Sequence, residues 1–347
     1  MTRATGVGSV PGPGALPPAE AFRDAVRRAV EAYAPLAHLP EMPGRGPGAD
    51  MIGRTLGMVG GLGADLQPAG WRLTEASALS GRDQRRARSL LSHDLDILEE
   101  EAGGGAGYGS TGGNLKVQVA GPWTLAATVE KPRGDRVLGD HGARRDLAEA
   151  LAEGVSEHIA DVRRRVAGAD LLVQVDEPAL PAVMAARIPT ASGFGKHRRV
   201  DAPEVSAALE TVLGAIADAG ATPLVHCCAA GPPLDLLAGA GAAGVSVDLA
   251  ALTTAAYDRL AERFDAGDLV LLGIAPAVLA DGAEPAGDSA LLNRVRRLLD
   301  MLGLDPAEVR DQLVLTPGCG LAGAEQAYAT RLAGQLPRVA RQLDEGS

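Results

Sequence analysis

The stretch Pro223-Leu224-Val225-His226-Cys227-Cys228-Ala229 combines an apolar run with side chains that can bind a metal. A short apolar run of this kind predicts a strand buried on both faces, as in a parallel sheet. Successive side chains of a strand point to opposite faces, so His226 and Cys228 share one face and Cys227 points to the other. A cysteine beside a histidine in an apolar run is more often an inert buried residue, so the pair alone does not establish a metal site.

Further runs of this kind alternate with amphipathic helices along the chain. The eight predicted strands are Thr5 to Ser9, Leu36 to Pro40, Leu115 to Ala120, Leu171 to Val175, Pro223 to Cys228, Val245 to Leu249, Leu269 to Ile274 and Leu313 to Thr316. Helical spacing of apolar residues is clear from Leu147 to Val166, and again from Val205 to Ile216 behind the predicted cap Asp201. Eight strands alternating with helices predict an α/β protein, a (β/α)8 TIM barrel.

The length of the chain predicts one barrel with a long insertion after strand 2. A TIM barrel needs about 250 residues, and this chain has 347, with the excess concentrated in residues 42 to 113. That insertion holds a predicted helix from Gln84 to Glu101 and a glycine-rich segment, 103 to 113, with the composition of a linker or a lid. We therefore expect residues 1 to 347 to form a single (β/α)8 catalytic domain that contains the insertion.

Composition excludes several classes of protein. The formal net charge is −11 and no basic cluster is interleaved with aromatic residues, so binding to nucleic acid is not expected. No apolar segment has the length of a membrane span or the form of a signal peptide, which predicts a cytoplasmic protein without membrane contact. With three cysteines, a disulfide framework is not expected, and reduced thiols are available as ligands.

Polar side chains are predicted at the carboxyl ends of most strands, where the active sites of TIM barrels lie. In chain order these are Gly8 and Ser9, Glu41, Asp176 and Glu177, His226 and Cys228, Asp248, and Cys319. The imidazole and the two thiolates of His226, Cys228 and Cys319 are ligands that zinc prefers, and they leave its fourth position open. Asp248 is either an exchangeable fourth ligand or the cap of the helix that follows it.

The remaining polar groups predict the class of substrate. A metal deprotonates a coordinated thiol, and the thiolate is the nucleophilic form, so this ligand set suits transfer of an alkyl group to sulfur better than hydrolysis. Glu41 and Asp176 could bind an ammonium group, while backbone N–H groups at Gly8 and Ser9 could bind a carboxylate. Either acid could instead be a surface carboxylate. Together these groups predict a pocket for an amino acid that carries a thiol.

Several short motifs, in the same order along the chain, resemble those of a known family. They are Val7-Gly8-Ser9-Val10-Pro11, Glu41 followed by Asp50-Met51, Gly121-Pro122-Trp123-Thr124, Gln174-Val175-Asp176-Glu177-Pro178-Ala179-Leu180, His226-Cys227-Cys228 and Pro317-Gly318-Cys319-Gly320-Leu321. From residue 5 to about residue 322 the chain is similar to the catalytic C-terminal half of cobalamin-independent methionine synthase. The resemblance implies a zinc-containing (β/α)8 barrel that methylates the thiol of homocysteine to give methionine.

The resemblance also implies roles for individual residues. By motif position, the metal ligands are His226, Cys228, Cys319 and Asp248, and the substrate-binding residues are Gly8, Ser9, Glu41, Met51 and Asp176. Asp248 stands where the family has a glutamate, whose side chain is one methylene longer. Among these residues, Asp176 and Asp248 are expected to act in catalysis as well as in binding.

The methyl donor is the point at which the chain departs most from the family. At the end of strand seven the family carries a histidine thought to help protonate the folate, whereas this chain has Ile274-Ala275-Pro276. The chain more closely resembles short, single-barrel relatives of the family, which are believed to take the methyl group from methylcobalamin or a corrinoid protein. We therefore expect methylcobalamin or a corrinoid protein to be the donor, rather than methyltetrahydrofolate.

Other functions fit parts of the same pattern. One alternative is a corrinoid-dependent methyltransferase for another thiol, or a uroporphyrinogen decarboxylase-like enzyme, which needs no zinc and binds a large polyanion. A non-enzymatic alternative is a barrel whose histidine and cysteines form a purely structural zinc site.

Overall fold

The computed structural model describes residues 1–75, 81–103 and 113–346. Its strands are β1 (Arg3–Ala4), β2 (Leu36–His38), β3 (Ala64–Gln67), β4 (Gly70–Leu73), β5 (Asn114–Ala120), β6 (Asp170–Asp176), β7 (Thr222–Cys227), β8 (Gly244–Asp248), β9 (Leu269–Ala275) and β10 (Leu313–Pro317). Its α-helices are α1 (Pro18–Ala32), α2 (Met51–Met58), α3 (Arg82–Gly103), α4 (Pro122–Thr128), α5 (His141–Arg165), α6 (Leu180–Met184), α7 (Ala202–Asp218), α8 (Leu234–Gly239), α9 (Thr254–Asp265), α10 (Asp288–Leu302), α11 (Pro306–Val309) and α12 (Gln326–Glu345).

Eight of the strands form one parallel sheet that curls almost into a closed barrel. Their order is β1-β10-β9-β8-β7-β6-β5-β2, so β1 and β2 are the two edges. The edges meet just beyond the strands, where Glu41 N donates to Gly8 O at 3.1 Å and Val10 N donates to Glu41 O at 2.7 Å. With helices between successive strands, this sheet confirms the predicted TIM barrel.

The first strand, Arg3–Ala4, is shorter than predicted and lies just before the predicted range. The apolar pattern predicts a strand from Thr5 to Ser9, but ladder pairing with β10 is confined to Arg3 and Ala4. In the following residues the backbone bonds to side chains: Gly6 N donates to His38 Nδ1 at 3.3 Å, and Val7 O accepts hydrogen bonds from two polar side chains of the barrel interior. At Gly6 and Val7 these contacts take the place of strand-to-strand bonds, whereas Thr5 N still donates to Leu315 O of β10 at 3.0 Å.

The barrel interior changes from apolar to polar along the strands. A cluster of Leu36, Leu172, Leu224, Leu271 and Val314 fills the end nearer the strand starts. Two residues further along β6 and β7, the same faces carry Gln174 and His226, both buried. The opposite faces of the strands pack against the helices and form the main core. The polar side chains of the barrel interior therefore lie toward the carboxyl ends of the strands.

The insertion after β2 consists of α2, the antiparallel hairpin β3–β4 and α3. Helix α3 confirms the helix predicted from Gln84 to Glu101, whereas the hairpin was not predicted. Gln84 is buried and joins the helices of the insertion, since its Nε2 donates to Leu56 O and Leu62 O, each at 2.9 Å. Most of the glycine-rich segment, residues 104–112, lies outside the described residues.

The assignment of residues 1–347 to a single domain stays a prediction. Within the described ranges, no helix combines the length and the apolar composition that crossing a bilayer requires.

Candidate functional site

His226, Cys228 and Cys319 meet at the carboxyl ends of β7 and β10. One ligand atom from each lies within 4.8 Å of the other two. The two sulfur atoms are 2.7 Å apart, and Cys319 Sγ lies 3.8 Å from His226 Nε2. Both cysteines are free thiols rather than a disulfide. The fold therefore brings an imidazole and two thiols together although about ninety residues separate them along the chain.

The orientation of His226 is fixed by the neighbouring strand. Its Nδ1 lies 2.9 Å from Ser246 Oγ, and Ser246 is the buried residue opposite His226 in the β7–β8 ladder. This contact leaves Nε2 facing the two sulfur atoms. Metal-binding histidines are commonly held in this way through their other ring nitrogen, so the imidazole fits the role of a ligand. The sequence analysis missed Ser246. The available signal was a polar residue within a buried strand, two positions before Asp248.

The two thiols of the cluster differ in acidity because they contact each other. The hydrogen bond between the two thiols, together with His226, lowers the pKa of Cys319, while the same hydrogen bond and burial raise the pKa of Cys228. Cys227 points to the other face of β7, is 1% exposed, and has a pKa raised to about 12 by burial. Two thiols and an imidazole are a donor set that fits zinc.

Asp248 lies near the cluster but is already engaged. Its Oδ1 accepts a hydrogen bond from Ala250 N at 3.0 Å and caps the short 3-10 helix Leu249–Ala251. Burial is the main cause that raises its pKa, and Cys319 adds to the shift. Among the described residues, the cluster consists of His226, Cys228 and Cys319 and does not include the Asp248 carboxylate. The capping alternative is therefore observed, and its role as a fourth ligand stays a prediction.

A cavity of about 330 Å³ opens beside the three-residue cluster. It is lined by Val7, Gly8, Ser9, Glu41, Pro43, Asp50, Met51, Ile52, Asp176, Pro178, His226, Cys228, Cys319 and Gly320. These include all five substrate-binding residues predicted from the sequence, which the fold brings together from the segments that follow β1 and β2, from α2 and from β6. The described lining includes three carboxylates and neither lysine nor arginine, so it favours a ligand with a positive charge.

The two predicted ammonium-binding acids are both buried. Burial raises the pKa of Glu41, and the Arg54 guanidinium opposes that shift. Burial also raises the pKa of Asp176, against the effect of His226 and Lys116. A buried carboxylate without a full set of partners is costly unless a cation reaches it. These acids are therefore suited to receive the ammonium group of a bound molecule.

Lys116 and Gln174 hold this side of the pocket from inside the barrel, and the sequence analysis singled out neither. Lys116 Nζ donates to Val7 O at 2.7 Å and to Gln174 Oε1 at 3.0 Å. Gln174 Nε2 donates to Val7 O at 2.9 Å and to Asp176 Oδ1 at 2.7 Å. The pair thus ties the carboxylate of Asp176 to the backbone just before Gly8. A lysine within the apolar run of β5 was the available signal.

Glu177, although it follows Asp176 at the strand end, supports the fold and does not line the pocket. Its carboxylate accepts hydrogen bonds from Trp123 N at 2.9 Å, Thr124 N at 2.8 Å and Thr124 Oγ1 at 2.7 Å. It therefore satisfies backbone donors in the first turn of α4.

No family model matches the chain, and no curated protein matches it. Among solved structures, a B12-independent methionine synthase from Shewanella sp. W3-18-1, in complex with selenomethionine, is similar over 100% of this chain and 98% of that chain, with a TM-score of 0.64 and 15% identity. A 2,3-dimethylmalate lyase of the PEP mutase/isocitrate lyase superfamily reaches a TM-score of only 0.36 at 11% identity, over 99% and 91% of the two chains, which is too low to support an argument. The first likeness, at 15% identity, establishes that this chain shares the barrel fold of that methionine synthase.

Proposed function

We propose that this protein is a zinc-dependent methyltransferase that methylates the thiol of homocysteine to give methionine. The observation that carries this proposal is the meeting of His226, Cys228 and Cys319 beside a cavity lined by buried acids. Such a cavity suits an amino acid with a thiol, because the thiol can reach the cluster while the ammonium group reaches the acids. The similar fold of a methionine synthase solved with selenomethionine supports the same substrate class.

In this proposal each group of residues has a defined task. His226, Cys228 and Cys319 would hold zinc, with Asp248 as an exchangeable fourth ligand, and zinc when bound would stabilise a substrate thiol as the thiolate. Glu41 and Asp176 would bind the ammonium group and so fix the direction of the substrate chain. Asp176 and Asp248 would also act in catalysis, since they lie on either side of His226 at neighbouring strand ends.

The substrate carboxylate would bind at the barrel closure. The backbone N–H groups of Gly8 and Ser9 make no hydrogen bond to another described residue, and both residues line the cavity. A free backbone N–H group can bind an anion without a basic side chain. Met51 would pack against the apolar part of the substrate from α2.

The methyl donor we propose is methylcobalamin or a corrinoid protein, rather than methyltetrahydrofolate. Strand β9 ends at Ala275 and is followed by Pro276, so this strand end offers no titratable group to protonate a folate. The cavity of about 330 Å³ suits an amino acid, and a corrinoid would have to approach from the open rim of the barrel.

The experiment is to incubate the zinc-loaded protein with homocysteine and either methylcobalamin or methyltetrahydrofolate, and to quantify methionine. We expect methionine with methylcobalamin, and none from the Cys319→Ala variant assayed in parallel. The absence of methionine with both donors, together with no binding of homocysteine to the wild-type protein, would contradict the proposal.

The alternatives predict different results in the same assay. A methyltransferase for another thiol would methylate that thiol faster than homocysteine. A uroporphyrinogen decarboxylase-like enzyme is disfavoured because no lysine or arginine is found in the described lining to bind a polyanion. A purely structural zinc site is disfavoured because the cluster borders an open cavity rather than being enclosed.

A further inference from the structure

A buried cluster of charged residues, which the proposed reaction does not use, lies behind Glu41. It consists of Arg54 in α2, Asp94 in α3 and Arg45 in the short 3-10 helix Pro43–Arg45. Asp94 accepts two hydrogen bonds from Arg45, both at 2.7 Å, and one from Arg54 Nη1 at 2.8 Å. None of the three side chains is more than 4% exposed. All three residues belong to the insertion after β2.

The charges of this cluster do not balance without Glu41. Two guanidinium groups face one carboxylate, which leaves a surplus of one buried positive charge. Arg54 Nε makes no hydrogen bond within the described chain, and it lies 3.8 Å from Glu41 Oε1. A buried charge without a counter-ion is strongly destabilising. Glu41 is therefore the anion that completes the cluster, while its carboxylate also lines the pocket.

We infer that Arg54 is a positioning residue for Glu41: anchored by Asp94, it keeps the Glu41 carboxylate ionised and oriented to bind the ammonium group of the substrate. The inference rests on the proposed function and deepens it, because it assigns the insertion a part in substrate selection. Arg54 would not contact the substrate itself, since Glu41 lies between it and the cavity.

The other charged groups around Glu41 cannot take the place of Arg54. Asp50 and Asp176 disfavour a further negative charge in the same pocket. Lys116 is the second nearby cation, but its ammonium is bound to Val7 O and Gln174. Without Arg54, burial and the neighbouring acids would favour the protonated form of Glu41. A neutral carboxyl group binds an ammonium group much more weakly than a carboxylate does.

The test compares two ligands that differ only in the amino group, L-homocysteine and 4-sulfanylbutanoate. Binding of each to zinc-loaded protein is measured by calorimetry, and the ratio of the two Kd values isolates recognition of the ammonium group because both ligands carry the same thiol. For the wild-type protein we expect homocysteine to bind about 30-fold tighter, from charge-assisted hydrogen bonds to the acids. In Arg54→Met the ratio should fall to about threefold or less.

Two further variants separate the charge of Arg54 from its packing. Arg54→Lys keeps the charge and should keep a ratio above about 10, even where thermal unfolding shows a less stable protein. Arg88→Met is the matched control, because Arg88 also joins α3 to the end of α2, through Gly57 O at 2.9 Å and Val59 O at 3.2 Å, away from the pocket. Its ratio should equal that of the wild-type protein.

The outcomes distinguish this inference from the proposed function. Equal ratios in Arg54→Met and the wild-type protein would overturn the role of Arg54 and leave the proposed function standing. If Arg54→Met does not fold, the test rests on Arg54→Lys, which keeps the positive charge. A folded Arg54→Lys variant that binds both ligands equally well would also overturn the role of Arg54. Failure of the wild-type protein to bind homocysteine would overturn the proposed function and the role of Arg54 together.

Discussion

At the scale of single residues, the alternation of side chains along β7 determines which cysteine faces the proposed metal site. Cys228 contacts Cys319, whereas Cys227 is 1% exposed and lies on the opposite face of the strand. We predict that Cys319→Ala and His226→Ala lose zinc, with affinity falling more than about 100-fold, and lose turnover while keeping the fold. Metal content per chain and circular dichroism measure the two effects.

Cys227→Ser is the control for these variants, because it changes a neighbouring thiol that points away from the cluster. We expect it to keep the zinc content and the turnover of the wild-type protein. Loss of zinc in Cys227→Ser would show that β7 presents its side chains in a different register.

Sequence analysis was most successful for residues at strand ends and least successful for residues inside the barrel. Barrel strands present their functional groups at their carboxyl ends, so the sequence predicts that Gly8, Glu41 and Asp176 lie close together. In the structure all three line the same cavity. Lys116 and Arg54 were missed because their partners, Val7 O and Glu41, are distant in the chain or belong to another element. A local pattern can indicate a buried charge, but it does not identify the partner of that charge.

At the scale of elements, periodicity predicted the long helices and the buried strands well. The hairpin β3–β4 was missed because each of its strands has four residues, too few for alternation to be distinguished from chance. Helix α7 begins after Asp201, as predicted, but the Asp201 side chain makes no capping hydrogen bond and pairs with Arg199 at 3.0 Å. The residue at which a helix begins is therefore easier to predict than the hydrogen bond that stabilises its start.

Helix α5 buries a histidine, which makes the stability of the protein sensitive to acid at one identifiable position. Burial, with a smaller contribution from the nearby Arg54, lowers the pKa of His158 to about 4. His158 binds a proton near pH 6.5 in the unfolded chain but not in the folded chain. The free energy of unfolding is therefore highest above pH 6.5 and decreases as the pH falls toward 4. Between pH 7.5 and pH 5, His158→Leu should therefore gain about 2 kcal/mol relative to the wild-type protein.

Urea unfolding at the two pH values measures this difference. His93→Gln, which changes an exposed histidine of α3, should follow the wild-type protein at both pH values. A constant difference between His158→Leu and the wild-type protein across this range would mean that His158 binds a proton as readily in the folded chain as in the unfolded one.

At the scale of the whole molecule, the barrel could be predicted because its pattern is repeated eight times, so an error in one strand boundary does not change the fold. The shape of the insertion could not be predicted in this way. Its helices are joined by buried polar contacts such as those of Gln84 with Leu56 O and Leu62 O, and Glu41 at the barrel rim balances the charge of its buried arginines. The order of elements follows from local patterns, whereas the coupling of the insertion to the pocket depends on a few long-range polar contacts.

The proposed zinc site predicts how the stability of the whole barrel responds to the metal. The ligands stand at the ends of β7 and β10, so an ion bound by His226, Cys228 and Cys319 would link distant parts of the sheet in the folded state alone. At a free zinc concentration 100 times the Kd, this linkage stabilises the fold by about 2.7 kcal/mol, or about 4 °C in Tm. Chelation should lower the Tm of the wild-type protein by this amount, and added zinc should restore it. Cys319→Ala should show neither change, and an equal shift in that variant would mean that the stabilising ion binds elsewhere.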